Sequence, residues 1–410
     1  MTAESDFAPS PALTRVARGS LCSGCGGCAL VAPGKIRMDS APPGLLRPHQ
    51  HAALDAAEEA RIARICPGLG QRVAAGARHD DVLWGPYLEM RTGHATDAAL
   101  RHAASSGGAL SAVLVHLLES GRVDAVMQTA AAPELPIGNV TVLTTEPGAV
   151  RDAAGSRYAP SSPLAGLAAH LDGAERLAFV GKPCDVAALR ALAVRDGRVA
   201  ARFPVMLSFF CAGVPALAGA REVLGRLGAA EAETAAFRYR GHGWPGRATA
   251  RLRDGTERSM SYHDSWGGVL SRHVQHRCKI CADGTGKAAD LVCADAWECD
   301  DRGYPLFDEK PGVSLIVART EHGAALMRAA EAAGHLATAP FDPTGLARMQ
   351  PGQSGRRRAL MARLAGLRVL GRPVPHYAGL NLWAAARQNR LRVNLRNFAG
   401  MVWRGLRGRV

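Results

Sequence analysis

The 410-residue chain is 47% hydrophobic and 21% charged, which suits two or three domains with sizeable cores. It has no run of about 18 uncharged apolar residues, so no membrane-spanning helix is expected, and Met1 to Ser20 lacks the apolar stretch of a signal peptide. The net charge of +14 is local: from Pro351 to Val410 there are 13 Arg and no Asp, Glu or Lys, leaving the rest of the chain near +1, with no basic field that would gather nucleic acid.

In chain order, residues 1–20 read as a loose leader and residues 21–80 as an iron–sulfur cluster module. Its signature is Cys22-Ser23-Gly24-Cys25-Gly26-Gly27-Cys28. Three thiolates at a spacing of three converge on one point, and the glycines let the backbone wrap tightly with its amides free to face sulfide. Helical periodicity from His49 to Ile65 carries Cys66-Pro67 back as the fourth ligand, a cysteine before proline being a ferredoxin-type closure. Paired knuckles would indicate zinc instead; C-x2-C-x2-C is the pattern of a 4Fe–4S site.

Residues 81–345 read as an α/β body. Arg91 to Ala95 suggests a strand. Ser105-Ser106-Gly107-Gly108 opens a helix whose apolar positions run from Leu110 to Leu118, and Val123 to Thr129 follows as a strand. Hydroxyls and glycines at a helix start offer free amides and a favourable dipole to phosphate, although a plain serine cap accounts for them equally well. Gly155-Ser156-Arg157-Tyr158 is a second polar patch. The strands Arg176 to Val180 and Pro204 to Phe210 end in Gly181-Lys182-Pro183-Cys184 and Cys211-Ala212-Gly213, each followed by a helical pattern. Ligands in open α/β sheets gather at such strand ends. Two alternating strands flank Asp254-Gly255; Val313 to Ala318 is a strand and Glu321 to Ala333 a helix. Residues 346–410 form an Arg-rich helical tail.

Ten cysteines without an export signal indicate a reducing cytoplasm, where cysteine groups bind metal rather than pair. Beyond the first four, two sets compete. Cys184 and Cys211 at strand ends with Cys278 and Cys281 would make a second four-thiolate site. Cys278, Cys281, Cys293 and Cys299 would make a local zinc knuckle.

The ordered motifs CSGCGGC, Cys66-Pro67, SSGGALSAVLVHLLESGRVDAV, GSRY, GKPCDVAALRAL, FFCAG, FRYRGHGW, CKIC and ADLVCADAW resemble the coenzyme F420 hydrogenase/dehydrogenase beta-subunit family of iron–sulfur flavoproteins. The resemblance implies FAD and one or two 4Fe–4S clusters. It assigns Ser105, Ser106, Gly107, Gly108, Gly155, Ser156, Arg157, Tyr158, Lys182 and Asp295 to the cofactor, with Ala294 in place of the family's glycine before Asp295. It favours Cys184, Cys211, Cys278 and Cys281 as the second cluster site beside Cys22, Cys25, Cys28 and Cys66.

The function expected is an oxidoreductase passing electrons between a ferredoxin or deazaflavin-type donor, the clusters, FAD and a substrate or partner. A non-catalytic electron-transfer subunit and a zinc-supported interaction protein are the alternatives. No separate catalytic set stands out, only His94, His102, His263 and His273 as proton donors. Leucines and arginines interleaved in the tail, ending in Trp403 and Arg404, suit a peripheral contact at the inner face of the membrane, and equally a solvated basic helix or one packed on the protein's own body.

Overall fold

Eight strands frame the molecule, and we number them in chain order: β1 (Glu89–Ala95), β2 (Ala125–Ala131), β3 (Asn139–Thr144), β4 (Leu177–Gly181), β5 (Val205–Phe209), β6 (Leu291–Asp295), β7 (Ser314–Ala318) and β8 (Leu336–Pro340). In this computed structural model, which describes residues 7–300, 306 and 308–408, they pair in the order β8-β1-β7-β6-β5-β4-β2-β3. β2, β4, β5 and β6 run parallel. β3 on one side and β7, β1 and β8 on the other pair antiparallel. β4 and β7 are buried along their whole length, as expected of continuous apolar runs covered on both faces.

Alternation along each strand divides the core in two. Val126, Ala178, Leu207, Cys293 and Ile316 face helix α2 (Ala109–Glu119) and helix α4 (Glu321–Ala332). Met127, Phe179, Met206, Val292 and Leu315 face the opposite layer. There they meet helix α1 (Ala56–Ile65), helix α3 (Pro183–Ala193) and Ala29 to Ile36. The N-terminal cysteine segment therefore shares the core of the sheet. A smaller antiparallel sheet (Thr234–Arg238, Arg247–Leu252, Glu257–Ser261) packs on the helix Leu217–Arg226 and caps one end.

Several sequence expectations shift. Residues 36–50, assigned in part to a helix, form a hairpin of Ile36–Ala41 against Leu45–Gln50. The helix starts only at Ala56, where Asp55 and Glu58 close a capping box. The described part of the leader is not loose: Pro11–Arg18 is a helix that buries Ala12 and Val16, and Ser10 Oγ donates to Glu59 at 2.6 Å. Residues 1–6 and 409–410 lie outside the described residues.

The Arg-rich segment is helical and packs on the body. Helix α5 (Pro351–Val369) buries Leu360, Leu364 and Leu367 against Leu21, Ile280 and Met401. Met401 belongs to helix α7 (Leu391–Leu406), which follows the short α6 (Leu382–Arg387). Arg357 is buried, and its guanidinium donates to the carbonyls of Ala282, Val82 and Leu380. Several of the tail's charges thus serve the backbone.

Candidate cluster and cofactor site

The first cysteine set is shaped by its backbone. Gly24 and Gly26 have φ of +81° and +85°, which reverses the chain between thiols. A side chain at Gly26 would put its first carbon 2.7 Å from the Ala165 nitrogen, so the loop has no room for one. Cys66 caps the C-terminus of α1 and so meets the loop from the other side. The Gly24 amide donates to Cys22 Sγ at 3.3 Å. Burial pushes the Cys25 thiol up to about 12, with nearby Cys66, Asp185 and Cys22 adding to it. Burial and then Cys22 push Cys66 up to about 11. Buried thiols that oppose one another's ionisation are a donor set that a cationic centre would suit.

The second set comes from three places. Cys184 opens α3 just after β4, Cys211 follows β5, and Cys278 and Cys281 flank the end of the short helix His276–Lys279. The Cys211 thiol is pushed up to about 12, first by burial and then by Cys278, with Cys281 adding to it. Cys184 is raised well above its usual range by burial, then by Asp185, with contributions from Cys211 and from Cys25 of the first set. The Val214 amide and Gln275 Nε2 donate to Cys278 Sγ at 3.4 and 3.6 Å, contacts of the kind that tune cluster potentials.

The local zinc set is not assembled. Alternation in β6 turns Cys293 to the face of α2 and α4, where burial alone pushes its thiol up to about 12. The Cys299 thiol donates to the Arg348 carbonyl at 3.0 Å. Among the described residues, the only group of three or more His, Cys, Asp or Glu whose ligand atoms lie within 4.8 Å of one another is Asp39, His49 and His51. Zinc–sulfur bonds of about 2.3 Å would hold thiolates closer than that. Four thiols in each set are the donor type and number that a 4Fe–4S cluster would take.

A cavity of about 300 Å³ lies at the carboxyl ends of the parallel strands, the lower end of the range for small-molecule sites. Ser105, Ser106 and Gly108 at the start of α2, the loop from Gly155 to Tyr158, Lys182 and Asp295 all line it, as does Cys211. Tyr158, Tyr262, Trp266 and Trp297 supply aromatic surface. The N-terminus of an eleven-residue helix beside flat rings fits a planar, phosphate-bearing cofactor.

Individual roles differ from those expected. Gly107 does not line the cavity; a side chain there would come within 2.7 Å of the Gly93 carbonyl and the Ser314 amide, so this glycine lets α2 meet the sheet. Ser106 Oγ bonds to the Val313 carbonyl and Ser314 Oγ at 3.0 and 3.2 Å. Ser105 Oγ accepts from the Ser156 amide, tying the two polar patches together. Arg157 is committed to structure, donating to Asn139 at 3.0 Å and to the carbonyls of Phe237, Pro136 and Gly138. Lys182 Nζ lies 2.8 Å from Asp185 and donates to Ser161 Oγ at 2.7 Å.

Asp295 takes two hydrogen bonds from Arg240, at 2.7 and 2.8 Å, and one from Trp244 Nε1 at 2.9 Å. The Arg240 guanidinium lies 4.6 Å from the Tyr262 ring and 5.0 Å from that of Trp297. Arg240 falls within the FRYRGHGW motif, but nothing local in the chain pairs it or Tyr262 with Asp295.

Residues 90–168 match the family described as coenzyme F420 hydrogenase/dehydrogenase, beta subunit N-term, and residues 174–344 match its C-terminal counterpart. The coenzyme F420 hydrogenase subunit beta of Methanococcus voltae is 26% identical over 304 residues, which span 72% of this chain and 99% of that protein. A chain of the F420-reducing nickel–iron hydrogenase complex from Methanosarcina barkeri shares the fold, with a TM-score of 0.53 at 18% identity over 70% of this chain and 95% of that one. The first cysteine set and α5 to α7 lie outside both family-matched regions.

Proposed function

Because the chain belongs to the coenzyme F420 hydrogenase/dehydrogenase beta-subunit family, we propose that it is an oxidoreductase that carries electrons between FAD in the strand-end cavity and two 4Fe–4S clusters. The first would sit on Cys22, Cys25, Cys28 and Cys66, the second on Cys184, Cys211, Cys278 and Cys281. When bound, flavin supplies hydride or two-electron exchange and each cluster passes single electrons. The observation that carries the reading is continuity: Cys211 lines the cavity, and the first cysteine loop packs on α3, the helix that Cys184 opens.

The chain's own residues would bind and insulate. Free amides at the start of α2 would receive phosphate, the aromatic rings of the cavity would offer surface to a planar ring system, and the Arg240–Asp295 pair holds Tyr262 and Trp297 in place. Gln353 Nε2 donates to the Cys211 carbonyl at 3.0 Å and Arg356 to that of Ala212 at 2.7 Å. In this way α5 shields the second set from water. The electron donor is a reduced deazaflavin or a ferredoxin.

Anaerobic purification with flavin and iron analysis tests this reading, followed by reduction with F420H2 and with ferredoxin. About eight irons and one flavin per chain are expected. Ser111→Phe, which fills the cavity, is expected to lose flavin and keep iron; full flavin in that variant refutes the cavity assignment. Assembly as a subunit of a larger complex is the second reading, favoured by the hydrogenase membership of the relatives. The outer face of α7, with Leu395, Trp403 and Leu406 exposed beside Arg392, Arg396 and Arg407, is proposed to rest on an anionic membrane.

A further inference from the structure

Arg277 is a buried cation among the cysteines that makes no ion pair with a carboxylate among the described residues. It precedes Cys278 on the helix His276–Lys279 and is 2% exposed. Its Nη2 donates to the Pro67 carbonyl, beside Cys66, at 2.8 Å. Nε and Nη1 are buried and lack a hydrogen-bond acceptor. The guanidinium carbon lies 5.9 Å from the centre of the Tyr377 ring. Next to Cys278 in the chain and bonded beside Cys66, Arg277 lies between the second set and the first. One guanidinium therefore reaches both four-cysteine sets.

A lone buried charge is costly, and in a stable protein it is balanced by charge of the other sign. Neutral thiols do not provide that balance, but the thiolates of a loaded cluster do. The two orphaned N–H groups are what a guanidinium keeps when its partners are anionic sulfur centres on either side.

On the two-cluster reading above, we propose that Arg277 is the shared counter-charge of both clusters and raises both reduction potentials. Each one-electron reduction adds negative charge to a centre held by four thiolates, and a fixed positive charge in a dry, low-dielectric site favours that reduced form. Because a single cation serves both centres, removing it moves both midpoints downward. A merely structural Arg277, tying the Cys66-Pro67 turn to the second set, predicts loss of iron instead, with no common shift.

The test compares the full-length wild-type chain with Arg277→Gln and Arg277→Lys, all purified anaerobically. Iron is counted, and both midpoints are measured by potentiometry with EPR detection. Wild-type iron content reports on the two-cluster reading itself; the differences among the three proteins report on Arg277. Arg277→Gln is expected to weaken one-electron reduction of both clusters at least tenfold, equivalent to about 59 mV. Arg277→Lys, which keeps the charge, is expected to stay near wild type. Unchanged midpoints in Arg277→Gln overturn the proposal, as does a shift of one cluster alone or an equal shift in Arg277→Lys. Should Arg277→Gln lose its iron, iron retained at wild-type potentials in Arg277→Lys supports the charge role. Iron lost from both variants overturns it.

Discussion

Cys25, the most enclosed thiol of the first set, is 8% exposed and interacts with Cys22, Cys28 and Cys66. Cys25→Ser is therefore expected to remove about four irons and leave the second cluster in place. Cys184 and Cys293 discriminate between the second ligand sets, since one opens α3 beside Cys211 and the other is packed against α2 and α4. Iron analysis is expected to find about four irons lost in Cys184→Ser and none in Cys293→Ser; the reverse pattern refutes the proposed ligand set. Asp295 neutralises Arg240, whose side chain is 2% exposed. Stranding that guanidinium in Asp295→Ala costs about 3–5 kcal/mol, measurable as a lowered urea midpoint, with loosened flavin because Tyr262 and Trp297 lose their brace.

Helix α2 carries a pH-sensitive contact at its far end. His116 is 6% exposed, its Nε2 has no hydrogen-bond partner, and its ring lies 5.3 Å from that of His335. Burial, then His335 and Arg122, hold its pKa below the usual histidine range. The unfolded chain takes up this proton more readily than the fold, so the contribution is present above about pH 6.5 and is lost as pH falls below it. Urea midpoints across this window are expected to fall less steeply with acid in His116→Gln than in wild type; parallel curves count against the assignment.

For α7, deletion from residue 376 would be a poor test of docking. His376–Ala378 pairs with Gly70–Arg72, and Leu380, Ala385 and Met401 are buried. Leu395→Glu with Trp403→Glu alters only exposed positions. The pair is expected to abolish co-sedimentation with anionic vesicles at low salt while keeping iron, and sedimentation equal to wild type refutes membrane docking.

At the scale of the whole molecule, the clusters are expected to be structural as well as redox elements. The eight cysteines join the N-terminal loop, α1, the ends of β4 and β5, and the segment at Cys278, while α5 fastens the Cys211 and Cys281 loops from outside. Arg363 donates to the Lys279 carbonyl at 2.9 Å and Tyr377 to that of Ile280 at 2.7 Å. Metal binding of this kind is coupled to folding free energy. Oxidative loss of iron is expected to lower the thermal midpoint and release flavin together, because Cys211 lies on the cavity wall. Flavin retained stoichiometrically by the iron-free chain contradicts that coupling.

The sequence by itself determined the cysteine pattern, the α/β alternation and the family, because each is written in local spacing. Thiolates at intervals of three, buried apolar runs and helical periodicity need no distant partner to be recognised. Strands β1, β2, β4, β5 and β7 accordingly fall close to where the pattern put them. Tertiary structure alone decided what depends on residues far apart in the chain. It set Asp295 against Arg240, used the Arg157 guanidinium to hold carbonyls, and made Gly107 a packing glycine. It drew the arginine-rich segment over the cysteines, where buried backbone carbonyls need donors and long guanidinium side chains can reach them. It also placed Arg277 where it reaches both cysteine sets, a position no spacing along the chain encodes.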